Sequence, residues 1–146
     1  MQTDAWLNQD GDFAPGRVLF RSDRTFKVWA YALSHSQLLL RSPGVDGGPR
    51  IDVLFKPVLA MRTGMDYEGL VIRCATTEEH ARIVAEGGNS DHNRVHILES
   101  SDGRTDYVIS GAVGWASDDE ESGAPSSLAF FFGATDPARA LPTGSP

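Results

Sequence analysis

The sequence predicts a mostly β fold: a curled antiparallel sheet or partly open β-barrel of seven or eight strands, with one helix near residues 77–86. Three observations carry this. Residues 26–56 hold three strand-like segments in a row, with the most regular two-residue alternation in the chain. Short apolar runs recur along the chain between turns rich in Gly, Pro, Asp and Ser, a spacing that favours sequential antiparallel pairing. Only one stretch combines helical periodicity with a start and a stop signal.

Residues 1–16 form a polar N-terminal segment with Asp-Gly and Pro-Gly turn pairs. Asn8, Asp10 and Asp12 crowd together there, but a calcium loop needs its glycine at the sixth position and Gly11 comes too early, so the cluster reads as a solvated turn. A single β-rich domain follows over 17–132. Arg17–Arg21 reads as a short strand closed by an Asp23-Arg24 turn. Phe26–Leu33 is apolar on both faces, with Phe26, Val28, Ala30 and Ala32 opposite Lys27, Trp29, Tyr31 and Leu33. Ser34-His35-Ser36 breaks the run before Gln37–Ser42. A three-residue hairpin loop there would set Leu33 opposite Gln37, Tyr31 opposite Leu39 and Trp29 opposite Arg41, placing the arginine on the indole. The core face is then Phe26, Val28, Ala30, Ala32, Leu38 and Leu40.

Arg50–Lys56 is a clean amphipathic strand that Pro57 interrupts, with Val58–Arg62 continuing it past a bulge or forming an edge. Tyr67–Cys74 is the next strand. Thr76 and Glu79 stand at capping-box spacing, and Gly87-Gly88 supplies a stop, which bounds the helix. Its buried face is expected on Thr77, Ala81, Val84 and Ala85. Arg94–Glu99, an Asp102-Gly103 turn and Asp106–Ala116 form a hairpin in which Gly111 and Gly114 mark bends. An acidic loop over 117–127 leads to the apolar run Leu128–Phe132. That run is either a buried closing strand or an edge through which a second copy pairs. Residues 133–146 read as a flexible tail. The strand count and curvature cues suit a pleckstrin-homology-like or lipocalin-like shape, and no family signature accompanies them.

The 146 residues suffice for one domain with a real core. No apolar run approaches the roughly 18 residues of a membrane-spanning helix. The N-terminus has neither a basic start nor an apolar h-region, and Cys74 is the only cysteine, so a reducing compartment, the cytoplasm, is expected. A net charge of −7 disfavours nucleic acid and anionic membranes as partners. The charge is uneven: residues 17–62 are basic and both flanks acidic, a pattern read as halves that neutralise each other on folding.

Chemistry-bearing residues are sparse. His92 and His96 lie four apart with His80 upstream, yet His96 begins a strand, where four residues span about 13 Å, too far for one ion. No metal or cofactor is therefore assigned. Cys74 with His35 or His80 could form a nucleophile–base pair, but a small buried hydrophobe is the plainer role for it. Catalytic elbows, phosphate loops and dinucleotide fingerprints are absent from the sequence. The residues singled out for binding are Lys27, Trp29, Tyr31 and Arg41, which mix aromatic and cationic groups as binding hot spots do. The competing reading makes this face a second core layer beneath the N-terminal segment or the helix. The expected function is a non-catalytic cytosolic protein-interaction module, of adaptor or immunity-like kind, with a protein partner of unknown identity. The alternatives are a small-molecule-binding barrel, and an enzyme or metal protein built on the His92/His96 region.

Overall fold

The structure, a computed structural model, describes residues 3–44, 48–87 and 94–128. Seven strands form one antiparallel sheet: β1 (Ala5–Leu7), β2 (Val18–Ala32), β3 (Gln37–Ser42), β4 (Arg50–Arg62), β5 (Asp66–Cys74), β6 (Arg94–Glu99) and β7 (Thr105–Asp118). The single α-helix among the described residues, α1, spans Thr77–Gly87. Strand order is β1-β7-β4-β3-β2-β5-β6, and β6 pairs in addition with β7. Hydrogen bonding thus runs round a ring of six strands, with β1 added on β7. The curled antiparallel sheet and the lone helix stand as the sequence predicts.

The ring follows from one long strand, β7, that serves two neighbours along one edge. β7 pairs with β4 over most of its length, while its other edge takes β6 at Thr105–Ser110 and β1 at Val113–Trp115. Its two central glycines are required by what lies on them. A Cβ at Gly111 would meet Pro57 Cδ at 3.0 Å, and one at Gly114 would clash with the Trp6 indole. The segment read as a polar N-terminal stretch therefore supplies an edge strand, Ala5–Leu7, which its three residues were too short to announce.

β2 corrects the sequence reading in two respects. Residues 18–32 are one continuous strand, not two strands and a turn; Asp23 and Arg24 sit at an irregularity between Ser22 and Thr25. A second irregularity at Trp29 shifts the hairpin register. Lys27 lies opposite Arg41, Ala30 opposite Leu39, Tyr31 opposite Leu38 and Ala32 opposite Gln37. One extra residue in a strand reverses the facing of everything beyond it. Ala30 accordingly leaves the expected core face and packs with Leu39 and Leu54 on the outside. The loop is Leu33–Ser36, closed by Ser36 N–H donating to Leu33 O at 3.1 Å. His35 and Ser36 take positive φ, which a hairpin loop demands of its last residues.

β4 runs through Pro57 to Arg62 with a shift between Val58 and Ala60, the continuation past a bulge that the sequence suggests. Inside the ring, Phe20, Phe26, Leu38, Leu40, Val53, Phe55, Tyr67, Leu70, Ile72, Leu98, Val108, Val113 and Trp115 make the core. Outside it, α1 covers Val95, Ile97 and Ile109. The capping box forms: Thr76 N–H donates to Glu79 Oε1 at 2.9 Å, and Glu79 N–H to Thr76 Oγ1 at 3.2 Å. The helix buries Ile83 and part of Val84, while Ala81 and Ala85 face solvent. The expected alanine face loses because a buried isoleucine removes far more apolar area from water than an alanine does.

Candidate functional site

The outer face of the β2–β3 hairpin is split between cover and exposure. Leu39 and Leu54 are buried with Leu128 against them, because residues 119–128 fold back over β3 and β4 as a strap. Two buried arginines hold that strap. Arg41 donates through Nε and Nη2 to Asp52 at 2.6 and 3.0 Å, and through Nη1 to Ser122 O at 2.7 Å. Arg50 donates through Nε and Nη2 to Asp118, both at 2.9 Å, and to the carbonyls of Glu121, Ala124 and Pro125. Forked guanidinium–carboxylate pairs are the strong form of this contact, and with the carbonyls they satisfy cations that are almost wholly out of water. Neither the N-terminal segment nor α1 provides this cover; the acidic loop does, through its backbone.

The rest of the hairpin is open. Trp29 is 40% exposed, Tyr31 43% and Leu33, at the tip, 88%. Lys27 is exposed as well. Arg41, 1% exposed, sits with its guanidinium carbon 5.2 Å from the Trp29 ring centre. The predicted stacking is present although the predicted register is not, because the bulge turns Trp29 outward beside Arg41. Of the four residues selected from the sequence, Lys27, Trp29 and Tyr31 reach solvent, and Arg41 acts from beneath. Tyr31 is tied down: its hydroxyl lies 2.8 Å from Ser36 Oγ, which donates to Val58 O at 2.8 Å.

Cys74, His80 and His96 converge near the N-terminus of α1. Cys74 and His80 line a 330 Å³ pocket with Phe13 and Arg94, and His96 is the cross-strand neighbour of Cys74. Burial pushes the Cys74 thiol up, away from the reactive thiolate. His96 is fully buried between the Phe13 and Phe55 rings, each 5.6 Å away. Ser110 Oγ–H donates to Ala112 O at 2.8 Å, so His96 Nε2–H is the donor in the 3.0 Å contact with Ser110. Nδ1 keeps a bare lone pair with no partner. Burial, reinforced by the Arg94 charge, lowers the His96 pKa to about 3, so the ring is neutral at pH 7. Among the described residues no three His, Cys, Asp or Glu side chains could hold a metal ion, and His92 lies outside them.

Sequence reasoning missed a cleft of about 870 Å³ between the first half of β2, β5, the β6–β7 turn and the ends of β4 and β7. Phe20, Ile51, Leu70 and Trp115 form its floor; Asp4, Asp23, Arg24, Glu99 and Ser101 stand on its rim. The signals were Asp23-Arg24, read as a turn, and Gly69, whose φ of +73° bends β5. No helix among the described residues is long and apolar enough to cross a membrane. No family model matches the chain, no curated protein matches its sequence and no solved structure matches its fold. The described residues form a mostly β, antiparallel architecture with an open aromatic hairpin and a separate cleft. The Leu128–Phe132 run lies outside the described residues beyond Leu128.

Proposed function

We propose that the chain is a non-catalytic protein-interaction module, of adaptor or immunity-like kind, that takes its partner on the β2–β3 hairpin. One observation carries the reading. Trp29 is an exposed aromatic backed by a guanidinium that is itself immobile, pinned by both Asp52 oxygens and by Ser122 O. A large side chain held in place before binding loses little conformational freedom on binding, which is the property of an interface anchor. Leu33, at the tip, extends the exposed patch and Lys27 adds a cation at its border, while Tyr31, fixed through Ser36, lies across from Leu38 on the other face of the hairpin. The single buried thiol suits a reducing compartment, so the module is assigned to the cytoplasm, with a shape comparable to pleckstrin-homology-like domains at the level of curvature alone.

The experiment is affinity capture from the native cell with the wild-type chain and the double variant Trp29→Ala, Leu33→Asp as parallel baits. The wild type should recover a stoichiometric partner that the variant loses, while thermal unfolding shows the variant still folded. Failure of the wild type to retain any stoichiometric partner after mild crosslinking, or equal recovery by the folded variant, refutes the reading.

A further inference from the structure

The cleft uses none of the hairpin residues, and its chemistry narrows what it takes. At about 870 Å³ it falls within the roughly 300–1,000 Å³ of small-molecule sites. Its floor is aromatic and aliphatic, with the Phe20 and Trp115 ring centres 5.3 Å apart and the planes tilted by 54°. Both flanking strands leave regular geometry there, β2 between Ser22 and Thr25 and β5 at Gly69. Irregularities of this kind re-aim side chains beside binding sites.

The rim sets the polarity of the ligand, because several of its donors are spent inside the chain. Arg24 Nη1 and Nη2 donate to Pro49 O and Pro43 O, at 2.6 and 2.8 Å. Ser101 Oγ donates to Glu68 O, Ser100 Oγ to Asp102, and Trp115 Nε1 to Thr3 O at 2.9 Å. Arg21 also lines the cleft as an exposed cation, with an interaction of its own within the chain. Acceptors remain. Asp4 uses Oδ1 for the Ser117 N–H, Glu99 gives Oε2 to Arg73, and Asp23 has no ion-pair or hydrogen-bond partner among the described residues. The rim thus holds free carboxylate oxygens above an aromatic floor, with the Arg24 fork turned into the chain.

We infer that this cleft binds an amphipathic organic cation, an ammonium group on an aromatic or branched aliphatic body of small-molecule size. The body covers Phe20, Leu70 and Trp115, and the ammonium donates to the carboxylates of Asp4, Asp23 and Glu99. The aromatic floor adds cation–π attraction to the burial of apolar surface.

Three probes with one body test this: 2-naphthylethylamine, 2-naphthylethanol and 2-naphthylacetate, titrated into the full-length ¹⁵N-labelled chain at pH 7. The amine should shift the amides of Ser22, Leu70 and Ser101 and the Trp115 indole N–H saturably. It should bind about tenfold more tightly than the alcohol, the gain of one partly exposed ion pair with its hydrogen bonds, and the acetate should be weakest. Asp4→Asn combined with Asp23→Asn keeps both side chains as acceptors, and should bring the amine to the affinity of the alcohol while leaving the alcohol unchanged. The inference falls if the amine gives no saturable shift, if its shifts centre on Trp29, if the acetate binds as tightly, or if the double variant binds the amine undiminished.

Discussion

Lowering the pH from 6.5 to 5 should destabilise this protein through one residue, His96. The imidazole is a base whose folded-state pKa is depressed from 6.5 to about 3. The unfolded chain therefore takes up a proton below pH 6.5 that the folded chain refuses until about pH 3. Stability is fully present above pH 6.5 and is lost as the pH falls toward 3. Each unit is worth about 1.4 kcal/mol, so the 1.5 units between pH 6.5 and 5 cost about 2 kcal/mol. The structural cause is plain: Phe13 and Phe55 flank the ring, Nδ1 has no acceptor to receive a new N–H, and Arg94 stands near. The window is clean because the carboxylates with depressed values, Glu79, Asp102 and Asp118, titrate at lower pH. Urea unfolding by circular dichroism at pH 7, 6 and 5 measures the effect. Wild type should lose about 2 kcal/mol and His96→Leu under about 0.5 kcal/mol over the same range. A flat wild-type profile, or an equal fall in the variant, would refute the reasoning.

Three further outcomes are expected. Asp52→Ala leaves the Arg41 charge buried without its carboxylate and should cost about 3–5 kcal/mol, whereas Arg41→Met with Asp52→Ala should cost clearly less; equal costs in urea unfolding would show that the pair is not coupled. Glu79→Gln keeps the helix cap but loses the charged contact to Arg73 at 2.7 and 2.8 Å, and should cost about 1 kcal/mol at pH 7. Burial works against the Arg73 contact, yet the Glu79 carboxyl is held down at about 2, so this difference is present above pH 4.5 and should close as pH falls from 4.5 toward 2; a difference persisting at pH 2 contradicts it. Trp29→Ala should cost about 1–2 kcal/mol, since the ring is 40% exposed, against about 3–5 kcal/mol for a wholly buried ring. A larger loss would make Trp29 a core residue and remove the anchor from the hairpin.

Local signals were legible wherever neighbours in the chain decide the outcome. The cap on Thr76 and Glu79, the Asp102-Gly103 turn and the alternation of Ile51, Val53 and Phe55 follow from short-range sterics and two-residue periodicity, whereas the glycines at 111 and 114 answer to Pro57 and Trp6 far along the chain. The hairpin was half legible. Its existence and the meeting of Arg41 with Trp29 could be read, but its register could not, because a bulge at Trp29 is set by partners on β3 that periodicity does not see.

Strand type, helix position and the candidate aromatics were therefore properties of the sequence itself. Three decisions belonged to the tertiary structure. The ring closes because β6 pairs with both β5 and β7, the second face of the hairpin is covered by a strap whose carbonyls two buried arginines gather, and the cleft opens where β2 and β5 both buckle. Each joins residues tens of positions apart through backbone groups that every residue carries alike, so no side-chain pattern along the chain could announce it.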